Sequence, residues 1–185
     1  MDVVKKIEDG GYTNILWQAN NKLLDELWLD GINEKELQKI WLNKKEKVLT
    51  RLIAAEILFK KDNSFPGSNK KIKILLAELY TEALADKGTV NGNIWGLPGF
   101  IGQAGENLLK SDANACIDSL KLLLNNSQQL IYVGSREATT GNEYRYRVKD
   151  IAAFYLSKFL HLKYSVFKSP EEREIEIKKL LQQIK

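Results

Sequence analysis

The feature that most constrains the fold is an echo. The run Thr50-Arg51-Leu52-Ile53-Ala54-Ala55-Glu56-Ile57-Leu58 returns in form as Val148-Lys149-Asp150-Ile151-Ala152-Ala153-Phe154-Tyr155-Leu156. Each run sets a basic residue three and four positions ahead of an alanine pair and closes on leucine. Side chains three and four apart share a helix face, so each run predicts a helix packed closely against a neighbour on its small-residue side. Two such helices, 98 residues apart, predict stacked helical units.

Other helices follow from apolar spacing and caps. Leu16, Ala19, Leu23 and Leu27 recur at helical intervals after Thr13, a candidate N-cap, and Gly31 closes that run. Asn33 with Glu36 opens a helix bearing Leu37, Ile40 and Trp41. The first echoed helix is expected over residues 45–61, and Pro66-Gly67 then breaks the chain. Ile72, Leu75, Leu76, Leu79, Tyr80, Ala83 and Leu84 form the clearest amphipathic stripe. Ser111 is a candidate cap for a helix carrying Cys116, Ile117, Leu120, Leu123 and Leu124. Ser169-Pro170-Glu171-Glu172 opens the last helix, whose apolar stripe is Ile177, Leu180, Leu181 and Ile184. The chain is therefore expected to be all-α, an irregular stack of antiparallel helix pairs within a single domain, 1–185.

Two stretches depart from this pattern. Six of the twelve glycines lie between residues 88 and 105, four of them three apart at Gly96, Gly99, Gly102 and Gly105. No Lys-Ser or Lys-Thr follows, and the spacing is not that of a dinucleotide turn, so close helix approach or a turn is expected rather than a phosphate site. A helix is expected to begin near Phe100. Residues 128–144 form an insertion too long for a simple connection between helices. Leu130-Ile131-Tyr132-Val133 and Tyr144-Arg145-Tyr146-Arg147 have strand character, which would allow one short β-hairpin there.

At the echoed runs the chain resembles HEAT-repeat proteins, in which a second helix commonly carries a Val-Arg, two-residue, Ala-Ala, two-residue, Leu pattern. Val148, Lys149, Ala152, Ala153 and Leu156 match it; Thr50, Arg51, Ala54, Ala55 and Leu58 match it more loosely. Residues 115–124 resemble the first helix of such a pair. The wide separation of the echoes implies irregular units or insertions. The resemblance implies an armadillo/HEAT-type α-α superhelix used as a scaffold for binding, and no particular reaction.

Charge and reactive residues narrow the function classes. The net charge is +4, and the excess lies late: residues 1–62 carry 11 basic and 11 acidic side chains, 63–140 carry 7 and 7, and 141–185 carry 10 and 6. So local a bias does not predict a broad nucleic-acid footprint. His161 is the sole histidine and Cys116 the sole cysteine, so no histidine-paired metal site and no internal disulfide is expected. No cofactor and no membrane span is expected, since apolar runs fall well short of ~18 residues. The N-terminus lacks the basic start and apolar stretch of a secretion signal, so the cytoplasm is the default; an exported chain stripped of its signal would read the same.

The expected function is macromolecular binding, most simply of another protein, as in a bacterial immunity or accessory factor, and not enzymatic. The alternative is a HEAT-like nucleic-acid-binding protein or DNA glycosylase-type enzyme, supported by basic and aromatic interleaving between Tyr144 and Lys168. Partner-binding candidates are Trp95, set in the glycine-rich stretch where exposure is expected, and Tyr132, Arg136, Glu137, Tyr144, Arg145, Tyr146 and Arg147 of the insertion and its end.

Overall fold

A computed structural model of the chain describes residues 2–19, 21–89, 91–134 and 136–184, with the side chains of Arg136 and Glu137 outside the description. Among these residues the fold is all-α with one two-stranded hairpin. The contacts gather into two compact units, Met1–Leu75 and Leu76–Lys185.

The first unit comprises α1 (Val3–Leu16), α2 (Lys22–Trp28), α3 (Glu34–Leu42), α4 (Val48–Lys61) and the start of α5 (Lys70–Ala85). The helix expected to run from Thr13 to Gly31 is two helices. Thr13 lies inside α1, which Asp2 caps by accepting from the Lys5 N–H, and Asn21 caps α2 by accepting from the Leu24 N–H. α4 is the centre of this unit and packs against α1, α2 and α3. Every residue of its echoed run, Thr50 to Leu58, is buried, as small side chains facing close neighbours require.

The second unit holds the rest of α5, then α6 (Gly92–Trp95), β1 (Gly96–Leu97), β2 (Phe100–Ile101), α7 (Gln103–Leu109), α8 (Ala113–Leu123), α9 (Arg136–Tyr144), α10 (Val148–Phe159) and α11 (Pro170–Gln183). Its central helix is α10, against which α7, α8 and α11 pack. The second echoed run is likewise buried throughout, with Ala152 and Ala153 at 0% exposure. α10 ends in a Schellman turn: Leu162 N–H donates to Ser157 O at 2.9 Å and His161 N–H to Lys158 O at 3.3 Å. His161 takes the left-handed position, φ 54°, that glycine more often fills. Asp112, rather than Ser111, caps α8 by accepting from the Ala115 N–H. Ser169 caps α11 as its sequence predicts.

The hairpin is not where the sequence placed it. β1 and β2 pair antiparallel inside the glycine stretch, Gly96 opposite Ile101 and Leu97 opposite Phe100. A Cβ on Gly96 or Gly102 would strike the facing backbone, which is why this tight pairing uses glycine. Among the described residues the insertion holds a helix, α9, and one antiparallel bridge between its ends, Gln129 with Arg147. Leu130 N–H donates to Tyr146 O and Val148 N–H to Gln128 O, both at 2.9 Å. Period-two alternation survives along it: Leu130 and Tyr132 are buried, while Ile131 and Val133 are exposed. Among the described residues no helix is long and apolar enough to cross a membrane.

Candidate functional site

The partner-binding candidates divide by burial. Trp95 is 1% exposed, against the exposure expected of a residue in a glycine-rich stretch, and Tyr132 and Tyr146 are 2% exposed. Trp95 stands edge-on to Tyr80 with ring centroids 6.3 Å apart. Gly92 and Gly141 leave room for the Tyr132 ring, since a Cβ on either would run into it. The Tyr132 hydroxyl donates to Gly96 O at 2.9 Å, and burial holds it well above the ordinary tyrosine pKa, so it stays a donor. The Tyr155 hydroxyl donates in the same way to Trp95 O at 2.5 Å, its ring filling the space beside Gly105. Gly92, Gly105 and Gly141 therefore open slots for aromatic rings. These three aromatic candidates, Trp95, Tyr132 and Tyr146, are core residues rather than exposed ones.

Arg147 belongs to a charged clasp at the start of α10. Asp150, 0% exposed, accepts from the Arg147 backbone N–H at 2.8 Å, from Arg147 Nε at 3.0 Å and from Arg147 Nη2 at 2.8 Å. Arg173 of α11 brings Nε to 3.1 Å from Asp150 Oδ2, but the N–H does not line up as a hydrogen bond, so this contact is an ion pair. The Arg173 guanidinium also donates to the carbonyls of Phe167, Lys168, Tyr144 and Arg145, and lies 4.8 Å from the Tyr146 ring centroid. Glu174 accepts from Arg147 Nη1 at 2.7 Å and meets Lys149 Nζ at 2.5 Å. Burial acts to raise the Glu174 pKa, yet Lys149 and Arg147 together hold it below the ordinary glutamate value.

Chemically this is a clasp rather than a reaction centre. Both oxygens of Asp150 already accept from Arg147, and the carbonyls around Arg173 use its donors to tie the end of α9 and the approach to α11 against α10. Sequence reading singled out Asp150 for its place near a helix N-terminus but passed over Arg173. A signal existed: Arg173 sits four before Ile177 and seven before Leu180, a charge on an apolar stripe.

Of the remaining candidates, Arg145 is exposed and held at φ 52°, and Tyr144 is half-buried with Lys168 Nζ 5.3 Å from its ring centroid. Arg136 and Glu137 lie in α9, with side chains outside the described residues.

The outward face of the insertion is apolar and fixed. Ile131 is 57% and Val133 63% exposed. Gly92 N–H donates to Ile131 O at 2.7 Å, and Val133 N–H to Asn93 Oδ1 at 2.8 Å. Asn142 locks the residue between, accepting from Tyr132 N–H at 3.2 Å and donating to Tyr132 O at 2.8 Å. The first unit holds a separate concavity of about 390 Å³, lined by Glu34, Gln38, Trp41, Asp62, Phe65 and others. Its acids brace their own surroundings, Glu34 accepting from Gln38 and Asp62 from Ser64. Among the described residues no group of three or more His, Cys, Asp or Glu is arranged to hold a metal ion. Compared with protein-family models, curated proteins and solved structures, the chain finds no match.

Proposed function

We propose that the chain is a protein-binding module, an irregular HEAT-like helical scaffold of the immunity or accessory type, that meets its partner through the outward side of residues 128–147. The observation that carries this reading is the pair Ile131 and Val133, exposed and apolar on a backbone already fixed by Gly92, Asn93 and Asn142. Apolar surface of this kind is buried at protein interfaces, and a preordered segment loses little entropy on binding. Exposed Arg145 supplies a charged edge to such a patch.

The nucleic-acid alternative is weakened, because Arg147 and Lys149, where the insertion runs into α10, are already paired with Asp150 and Glu174. The test is retention of proteins from the native organism on the immobilised chain, wild type beside Ile131→Ser/Val133→Ser. A partner retained by the wild type and lost by a variant of unchanged melting temperature supports the reading. Equal retention by both, or tight DNA binding at physiological salt, overturns it.

A further inference from the structure

The C-terminal helix is apolar on more of its circumference than the fold covers. Its stripe was expected to be Ile177, Leu180, Leu181 and Ile184. Ile177 and Leu180 are buried at 2% and 1% exposure, but Leu181 is 38% exposed and Ile175, further round the helix, 55%. Leu181 and Ile184 line an open groove of about 460 Å³ together with Lys178, Gln182 and, from α8, Lys121. The groove thus has an apolar floor and an ammonium contributed by each of two helices.

Those ammonium groups are uncommitted. Glu174, one turn before Lys178, is held by Lys149 and Arg147, and Glu176 pairs with Lys179. Lys121 and Lys178 make no hydrogen bond or ion pair among the described residues. Two free cations beside apolar surface call for an occupant that brings carboxylates together with an apolar row.

We propose that this groove receives an acidic amphipathic helix of a partner protein, its Leu- or Ile-type side chains on Leu181 and Ile184 and its carboxylates on Lys121 and Lys178. A helix meets the requirement because an amphipathic helix can carry acids along the edges of one apolar stripe, and a helix lying in a groove between two helices is an established mode of peptide recognition. An anionic membrane surface fits less well: α11 exposes Glu171 and Glu172 in its first turn, which such a surface would repel. This groove does not use Ile131 or Val133, so the two binding readings stand or fall separately.

The probe is a phage-displayed random peptide library, about four helical turns long, panned on the immobilised full chain. The expected consensus pairs Glu or Asp with Leu, Ile or Phe at helical spacing. Synthetic peptides of that consensus should bind Lys121→Glu/Lys178→Glu about tenfold or more weakly, and Leu181→Ser more weakly as well, with circular dichroism unchanged. They should bind Ile131→Ser/Val133→Ser as the wild type does. A consensus without acids, no enrichment, binding that survives the charge reversal, or Lys121- and Lys178-dependent binding to phosphatidylserine vesicles in place of peptides would overturn the proposal.

Discussion

α4 and α10 carry the same small-residue face, yet what surrounds them is different. In both, the alanine pair is fully buried and a basic residue near the N-terminal end is buried with it: Arg51 donates from Nε to Trp41 O at 3.2 Å, and Lys149 meets Glu174 at 2.5 Å. The acids diverge. α4 buries Glu56 in mid-helix, where it accepts from the Tyr12 hydroxyl at 2.9 Å, a neutral donor kept protonated because burial and then Glu56 itself raise its pKa. α10 buries Asp150 in its first turn, between two guanidinium groups, one of them from α11. The echoed face sets how closely a neighbour can approach; the buried charges set which neighbour it is.

The sharpest way to break this comparison is to remove the long-range partner of the buried acid on each helix. Arg173→Met should cost about 3–5 kcal/mol, because it strips a buried ion pair of one partner and frees the carbonyls of Tyr144, Arg145, Phe167 and Lys168. Tyr12→Phe should cost less, about 1.5–3 kcal/mol, the range for a hydrogen bond to a charged group. Denaturant melts of both variants check the order. If Tyr12→Phe proves the costlier, α4 and not α10 is the helix that charge holds in place.

The alanine positions should behave alike in the two helices. Ala55→Leu and Ala153→Leu each add bulk at 0% exposure and should cost about 1–3 kcal/mol through overpacking. A large cost at one and none at the other would mean that the echo is coincidental at the tolerant site. Thermal denaturation of the paired variants reads this directly.

The same contrast explains what the sequence disclosed. Helical periodicity and small-residue spacing are local, so the two central helices were legible, as was the Ser169 cap. Caps depend on which of several polar residues the backbone reaches, and Asn21 and Asp112 fill the roles assigned to Thr13 and Ser111. The hairpin at 96–101 was hidden because its signal is glycine permitting backbone contact, without alternating β-formers. Tyr132, Tyr146 and Trp95 were drawn as surface residues from their place in irregular segments. Their burial depends on partners distant in sequence: Gly92 and Gly96 for Tyr132, Arg173 for Tyr146, Tyr80 for Trp95. The apolar face of Ile131 and Val133 emerges only once Leu130 and Tyr132 are seen to point inward.

The mildest effect should come from pH, and it should divide the two helices. Glu174 and Glu176 are both held below the ordinary glutamate pKa against the opposing effect of burial, Glu174 by Lys149 and Arg147, Glu176 by the Ser165 N–H and Lys179. A carboxylate whose folded pKa is depressed contributes stability that is present above its unfolded pKa and fades as pH falls through the folded one. The seating of α11 on α10 should therefore weaken as pH drops below the ordinary glutamate range. The pair of Tyr12 on α1 and Glu56 on α4 works at the opposite end: a raised tyrosine pKa contributes stability present below the ordinary tyrosine value and lost as pH climbs toward the folded one. The acid effect should be small, because the Glu174 side chain is 35% exposed and solvent screens its partners. Hydrogen exchange followed down in pH should show α11 losing protection before α4, with the difference narrowed in Glu174→Gln. Simultaneous loss in both helices, or an unaltered gap in the variant, would mean that apolar packing through Ile177 and Leu180 seats α11 and that the clasp at Asp150 only orients it.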